Sequence, residues 1–287
     1  MTGIFTDIRF IFAVCIAMVV IIMVFCICLI LSRRQEKMLY ACGRNLKVDI
    51  GNAQIIGTRE KQDDSFATSI QPYGIMGIVA DGIGGYINGN LASQITVETY
   101  LDEFEKRDVS DNISYYFQKA AVLSNDRIRD EFEETPGGTT QVSVVLMNDE
   151  MYWSSVGDSN ISVFRNGRLI EVNRKENVKN WLEDQYLAGT IRKEDADGGK
   201  LAKRLVNYLG YDGFKKASES DRPILLKKND QVLLYSDGVE VIGQIELERI
   251  LTKKSSAQQK ADMIMQAITQ KQVRSKDNAT IIILAVK

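Results

Sequence analysis

The sequence predicts an α+β protein preceded by a single transmembrane helix, and three features indicate this. An unbroken apolar run covers residues 10–31, and at ~1.5 Å per residue it is long enough to cross a ~30 Å hydrocarbon core. After it, short apolar segments end in turn residues, as strands do, while longer segments repeat their apolar residues every three or four positions, as helices do. Strands grouped into meanders with long helices between them favour α+β layers over βαβ winding.

The chain of 287 residues divides into four parts by composition: a short extracytoplasmic tail (1–9), the transmembrane helix (10–31), a basic juxtamembrane linker (32–45) and one domain (46–287). A cleavable signal peptide is the alternative for the apolar run. That run is too long for a signal-peptide core, and no small-x-small cleavage pattern follows it. A permanent anchor is therefore the favoured interpretation.

The charges beside the apolar run predict its orientation. Arg33, Arg34 and Lys37 follow it closely, whereas the tail before it has only Arg9, which Asp7 offsets. Because positive residues accumulate on the cytoplasmic side of membrane helices, we expect a single-pass protein of the cell membrane with its domain in the cytoplasm.

Two residue counts exclude whole classes of site. The four cysteines lie in or just after the apolar run, so the domain beyond has neither a disulfide framework nor a thiolate zinc site. The absence of histidine excludes Ser-His-Asp and Cys-His catalysis and imidazole-bound metals, so any metal must be held by oxygen. A net charge of −2 without a basic stripe gives no support for nucleic-acid binding.

Six strands and three helices are predicted from these patterns. Asn166-Gly167 stands between two of the strands and indicates a tight hairpin. Ser110 is placed to cap the second helix. The predicted strands are 48–56, 74–80, 141–147, 151–155, 161–164 and 168–172, and the predicted helices are 91–106, 111–132 and 257–271.

Four aspartates stand where apolar segments end or begin, namely Asp81, Asp158, Asp237 and Asp277. Any one of them alone is typical of a turn. Together they predict a cluster of carboxylates at a sheet edge, and such a cluster repels itself unless cations neutralise it. Oxygen ligands suit Mg²⁺ or Mn²⁺, and the Gly82 carbonyl is a further candidate ligand.

A polar segment between two strands, residues 57–64, adds a cation and two acids. The structural interpretation is that this segment is a solvent-exposed loop. The functional interpretation is that Arg59 binds a phosphate with its planar guanidinium, while Asp63 and Asp64 orient waters on the metals.

In their order and approximate spacing these segments resemble the motifs of the metal-dependent, type 2C protein phosphatases of bacteria. The likeness covers about residues 48–287. Its motifs are Arg59-x-x-Gln62-Asp63-Asp64, Val79-Ala80-Asp81-Gly82-Ile83-Gly84-Gly85, Gly138-Thr139-Thr140, Val156-Gly157-Asp158-Ser159, Ser236-Asp237-Gly238-Val239 and Asp277-Asn278-Ala279-Thr280.

The resemblance implies a four-layer αββα sandwich with two Mn²⁺ or Mg²⁺ ions at one edge. It implies that Asp81 bridges the ions, that the Gly82 carbonyl binds one, that Asp237 and Asp277 bind the other, and that Asp158 holds a third, weaker ion. Gln62 and Asp63 depart from the family's usual residues. Residues 173–220 diverge most and coincide with the family's flap beside the active site.

The function implied is hydrolysis of phosphoserine and phosphothreonine in phosphorylated proteins by a metal-activated water. The expected partners are those proteins, a cognate serine/threonine kinase, and the membrane through the N-terminal helix. Two alternatives remain open. One is a pseudophosphatase that binds phosphoproteins at the membrane, although none of the key aspartates is lost; the other is a hydrolase of small phosphate esters or nucleotides.

Overall fold

A computed structural model describes residues 39–42, 46–83, 88–106, 109, 112–132 and 136–287. The expected transmembrane helix at 10–31 lies outside the described residues. None of the helices within the described ranges has the length and apolarity that crossing a membrane requires.

Two antiparallel sheets form the centre of the domain. The strands in chain order are β1 (Leu39–Cys42), β2 (Leu46–Ile55), β3 (Asp64–Gln71), β4 (Gly74–Asp81), β5 (Gln141–Met147), β6 (Glu150–Val156), β7 (Asn160–Arg165), β8 (Arg168–Glu171), β9 (Ser218–Glu219), β10 (Ile224–Leu225), β11 (Gln231–Tyr235) and β12 (Ala279–Val286). One sheet has the order β1-β2-β12-β11-β7-β8, and the other has the order β10-β6-β5-β4-β3 with β9 beside β6.

The structure describes five helices, and four of them cover the outer faces of the two sheets. They are α1 (Gly89–Glu105), α2 (Ile113–Glu131), α3 (Val178–Leu187), α4 (Gln244–Leu251) and α5 (Ala257–Gln270). The first two pack on the sheet that contains β4, and the last two pack on the sheet that contains β12. Short 3₁₀ segments at Lys193–Ala196, Gly199–Leu201 and Asp237–Ile242 complete the helical part.

The strand β4 shows how the layers are held together. Its residues alternate in direction, as successive residues of any strand do. Ile75 and Val79 join the core between the two sheets, whereas Met76, Ile78 and Ala80 join the core beneath α1 and α2. A strand buried on both faces is expected only inside a layered sandwich, so the predicted αββα architecture is confirmed.

The predicted elements are confirmed apart from small shifts at their ends. The hairpin between β7 and β8 turns at Asn166 and Gly167, which have φ angles of 54° and 82°, as a tight turn of this kind requires. The cap predicted at Ser110 is corrected, because Asn112 caps α2 by accepting a 2.9 Å hydrogen bond from the backbone N–H of Tyr115. The stretch expected to be a linker contains the edge strand β1.

We predict that Gly51→Ala destabilises the domain, whereas Gly77→Ala does not. A Cβ on Gly51 would lie 2.2 Å from the backbone carbon of Ala257, so α5 would have to move away from β2. We expect the free energy of unfolding to fall by about 1–3 kcal/mol. Urea unfolding followed by fluorescence of Trp153, which packs on the core between the sheets, measures this change.

Gly77→Ala is the matched control, since the nearest atoms to its Cβ would be side-chain atoms of Leu234 and Leu284 at 3.7 Å and of Ile282 at 3.8 Å. This is ordinary van der Waals contact in a strand. Equal losses in the two variants would contradict the close approach of α5 to β2.

Candidate active site

Seven of the eight residues that the sequence singled out line one cleft of about 700 Å³, here named the strand-end cleft. The residues share a position at the ends of strands or in the loops that follow. They are Arg59, Asp63, Asp81, Gly82, Asp158, Asp237 and Asp277. The sequence therefore identified residues that line a single cavity although they are spread over more than 200 positions.

The pairing of the strands explains why these side chains meet. Asp81 is the last residue of β4, and Asp158 lies in the turn between β6 and β7. Asp237 follows β11 by two positions, and Asp277 precedes β12 by two. Because β11 is antiparallel to β12, the end of one strand adjoins the beginning of the other. All four carboxylates consequently reach the same edge of the sandwich.

The backbone around Asp81 is fixed by the predicted Gly138-Thr139-Thr140 segment. The Asp81 carbonyl accepts hydrogen bonds from the Thr140 N–H at 2.8 Å and from the Thr139 hydroxyl at 2.9 Å. Beside it, the Gly82 N–H donates to the Asp63 carbonyl at 3.0 Å. A Cβ on Gly82 would lie 2.3 Å from the Gly89 carbonyl oxygen, so only glycine fits here.

Burial and mutual repulsion make the charged forms of these acids unfavourable. Burial, together with the Asp64 and Asp237 carboxylates, raises the pKa of Asp81 well above its usual range. Burial and the charge of Asp237 raise the pKa of Asp158 to about 6. The pKa of Asp237 is raised by burial and by Asp277, while Lys175 and Lys203 act in the opposite direction. A bound cation would relieve this repulsion.

Arg59 is placed in the cleft by an ion pair with Asp277, with 2.6 Å between Nη2 and Oδ2. The hydrogen bond to Asp277 also raises the pKa of the guanidinium. Both side chains remain about half exposed, so other donor groups of Arg59 are open to an anion in the cleft. The phosphate-gripping role of Arg59 stays a prediction.

Asn278 holds the loop that carries Arg59 and Asp63, and the sequence-based set of site residues omitted it. Its side-chain amide donates to the carbonyls of Ile56 and Lys61 at 2.9 and 3.0 Å and accepts from the Asp63 N–H at 2.8 Å. The Asp277-Asn278 motif contains this asparagine and is the signal by which the sequence could have indicated it.

Asp64 is the one predicted residue that does not line the strand-end cleft. Its Oδ2 accepts hydrogen bonds from the hydroxyls of Ser236 and Thr280, each at 2.7 Å. Its Oδ1 is buried without a hydrogen-bond partner, and burial raises the pKa of Asp64 to about 6. It lines a different cavity of about 380 Å³. Its carboxylate therefore braces the strand ends beneath Asp81.

The donor set of the cleft fits hard divalent ions. Its described lining residues offer carboxylates and a glycine carbonyl and neither sulfur nor imidazole, which suits Mg²⁺ or Mn²⁺. Across the described ranges, no three acidic, cysteine or histidine side chains form a group that could hold an ion by themselves. Ions in this cleft would therefore need further oxygen ligands beside the carboxylates, such as water.

The flap, residues 173–220, forms a wall of the cleft. Eight of its residues line the cavity, namely Val178, Leu201, Lys203, Arg204, Leu205, Val206, Tyr208 and Tyr211. The rings of Tyr208 and Tyr211 stack with 5.1 Å between their centroids. None of these residues was among the predicted site residues.

The carboxylate of Glu176 connects the flap to the turn that carries Asp158. Glu176 accepts hydrogen bonds from the N–H of Gly157 at 2.9 Å, from the amide of Asn207 at 2.9 Å and from the hydroxyl of Ser218 at 2.7 Å. These partners come from the turn that carries Asp158 and from the returning end of the flap. The flap wall and the Asp158 turn are therefore positioned together.

The chain resembles type 2C phosphatases in sequence and fold. Residues 76–185 match the family model of Protein phosphatase 2C. The Listeria monocytogenes protein named Serine/threonine phosphatase stp is 26% identical over 215 residues, covering 72% of this chain and 82% of that protein.

Solved structures show the same fold. The Streptococcus agalactiae serine/threonine phosphatase aligns with a TM-score of 0.74 at 21% identity, covering 84% of this chain and all of that one. The catalytic domain of the serine threonine protein phosphatase PstP, in complex with two manganese ions, aligns with a TM-score of 0.68 at 18% identity, covering 84% and 99%. The similarity to named serine/threonine phosphatases that the motifs predicted is thus confirmed.

We predict that Asn278→Ala loosens the loop that carries Arg59. Three hydrogen bonds are lost, so the free energy of unfolding should fall by about 1–3 kcal/mol, and hydrolysis of an aryl phosphate should fall as well. Asn112→Ala is the comparison variant, because it removes a helix cap worth about 1 kcal/mol without touching the cleft. Asn112→Ala should lose stability and keep its activity. If Asn278→Ala lost stability and also kept its activity, the assigned role of Asn278 would be wrong.

Proposed function

We propose that this chain is a membrane-anchored, metal-dependent protein phosphatase that hydrolyses phosphoserine and phosphothreonine in phosphorylated proteins. The observation that carries the proposal is the gathering of Asp81, Asp158, Asp237 and Asp277 beside Arg59 in one cleft. The names of its relatives support the same activity.

Two divalent ions, Mn²⁺ or Mg²⁺, fit this proposal, and PstP with its two manganese ions supports it. Asp81, the Gly82 carbonyl, Asp237 and Asp277 would hold them, and Asp158 is the candidate for a third. When bound, such ions supply Lewis-acid activation of water for attack on phosphorus.

The residues of the chain supply binding and orientation. Arg59, held by Asp277 at one nitrogen, uses its remaining N–H groups to bind and orient the phosphoryl oxygens. Asp63 is kept at the cleft by the bond from its N–H to Asn278 and is suited to orient water there. Catalysis of this kind depends on positioning and charge stabilisation and needs no phosphorylated enzyme.

Anchoring is proposed from the sequence. The apolar run at 10–31 has the length of a membrane helix, and the basic residues after it favour a cytoplasmic domain. Substrates phosphorylated on serine or threonine imply a cognate kinase in the same compartment.

We predict that hydrolysis of a phosphothreonine peptide requires Mn²⁺ or Mg²⁺ and is abolished by excess chelator. Asp81→Asn should lower turnover on the order of 100-fold, even at high metal concentration, because it removes the charge of the carboxylate that would hold both ions. Asp237→Asn should weaken metal binding by roughly 10- to 100-fold and recover partly as metal is raised. Asp158→Asn should lose less than either.

A metal titration of peptide turnover for the three variants and the parent tests this, with folding checked by circular dichroism. Full parental activity in chelator would overturn the metal-dependent mechanism. Tight phosphopeptide binding without turnover would favour the pseudophosphatase, and turnover of nucleotides alone would favour a small-ester hydrolase.

We predict that a tag placed after Lys287 is protected from protease added to intact cells and is digested once the membrane is opened. The basic residues after the apolar run are the reason. Recovery of the tagged protein in the membrane fraction tests the anchor itself. Digestion of the tag in intact cells would reverse the proposed orientation.

A further inference from the structure

The flap wall presents two neighbouring cations, Lys203 and Arg204, to the strand-end cleft. Their backbone is held by the first turn of α3. The Val178 N–H donates to the Arg204 carbonyl at 2.8 Å, and the Lys179 N–H donates to the Ala202 carbonyl at 3.0 Å. The two side chains therefore start from fixed positions on the wall.

Neither cation forms an ion pair with an acidic residue among those that the structure describes, although the charge of Lys203 acts at longer range to lower the pKa of Asp237. The neighbouring cations differ in this respect, because Arg59 pairs with Asp277 and Lys175 pairs with Glu240. Lys203 and Arg204 are also exposed, so a ligand entering the cleft can reach them.

The charge balance of the cleft leaves the positive charges of Lys203 and Arg204 unneutralised. Five aspartates are among its described lining residues. Two divalent ions together with Arg59 would offset these five negative charges. Lys203 and Arg204 then remain as positive charge on the wall, beside the stacked rings of Tyr208 and Tyr211.

The cleft has room for more than a phosphoryl group. Its volume of about 700 Å³ falls within the range of pockets that enclose drug-sized ligands. Residues of an extended peptide follow one another at ~3.3–3.6 Å. The residues on either side of the phosphorylated one would therefore pass along the flap wall.

We infer that Lys203 and Arg204 select phosphorylated segments with acidic side chains next to the phosphoserine or phosphothreonine. This inference rests on the proposed phosphatase activity and adds a substrate preference to it. Each contact is a partly solvated ion pair, so it adds modest affinity and weakens as salt screens it.

The test uses the full chain in detergent with four substrates: an aryl phosphate and phosphothreonine peptides flanked by alanine, glutamate or lysine. We expect kcat/KM to be roughly 5- to 10-fold higher for the glutamate-flanked peptide than for the alanine-flanked one at low salt. Lys203→Gln with Arg204→Gln should remove this preference through KM, so that the glutamate-flanked and alanine-flanked peptides become equivalent when each is compared with the aryl phosphate. The charge reversals Lys203→Glu and Arg204→Glu should shift the preference to the lysine-flanked peptide.

Lys200→Gln is the matched control, because Lys200 is an exposed flap residue outside the cleft lining, and it should keep the parental preference. The inference is overturned if the parent shows no preference for acidic flanks. It is also overturned if the double variant slows all four substrates equally, since the pair would then bind the phosphoryl group itself.

Binding of peptides that carry a non-hydrolysable phosphonate, measured by fluorescence anisotropy, separates this inference from the proposed activity. If the parent hydrolyses no substrate, the phosphatase proposal fails. The preference of Lys203 and Arg204 for acidic flanks is then still decided by whether the glutamate-flanked phosphonate binds more tightly and loses that advantage in the double variant.

Discussion

The repulsion between carboxylates that the backbone holds at one edge of the sandwich is the constraint on which the rest of the site depends. The backbone of Asp81 cannot move away from the other acids, because it is hydrogen-bonded to Thr139 and Thr140 and because Gly82 packs closely against α1. Asp277 is fixed at the start of a central strand. Protonation, the guanidinium of Arg59 or bound cations would each reduce this repulsion.

The adjacent residues Asp63 and Asp64 have different roles, one in the site and one in stability. Asp63 faces the cleft, whereas Asp64 is buried against hydroxyls from the two strands that deliver Asp237 and Asp277. The buried carboxylate thus ties the two sheets together immediately below the exposed ones. A site of repelling charges needs such bracing, since the repulsion itself acts to spread the strand ends.

The acids of the cleft could be predicted because each ends or begins a strongly apolar strand. Asp64 was grouped with Asp63 because β3 was not predicted as a strand; the alternation of side chains along a strand sends neighbours to opposite faces. The role of Asn278 depends on contacts with residues more than 200 positions away, which no local pattern reveals. The cap of α2 was misplaced because serine and asparagine are both good caps.

The flap was the least predictable part for a related reason. Helix α3 buries none of its residues, so no apolar face imposes a period of 3.6 on its sequence. Its position depends instead on polar contacts such as those of Glu176. Periodicity can therefore locate the elements that build the core, while the segment that would meet the substrate follows no such rule.

The central place of β12 has a consequence for protein synthesis. This strand lies between β2 and β11, and the residues just before it contribute both Asp277 and the amide that fastens the Arg59 loop. A ribosome that has made the first 270 residues has therefore made a chain with most of its sandwich and no complete site. The aspartates of the cleft and Arg59 therefore come together only once the final strand has been made, so an unfinished chain lacks the complete strand-end cleft.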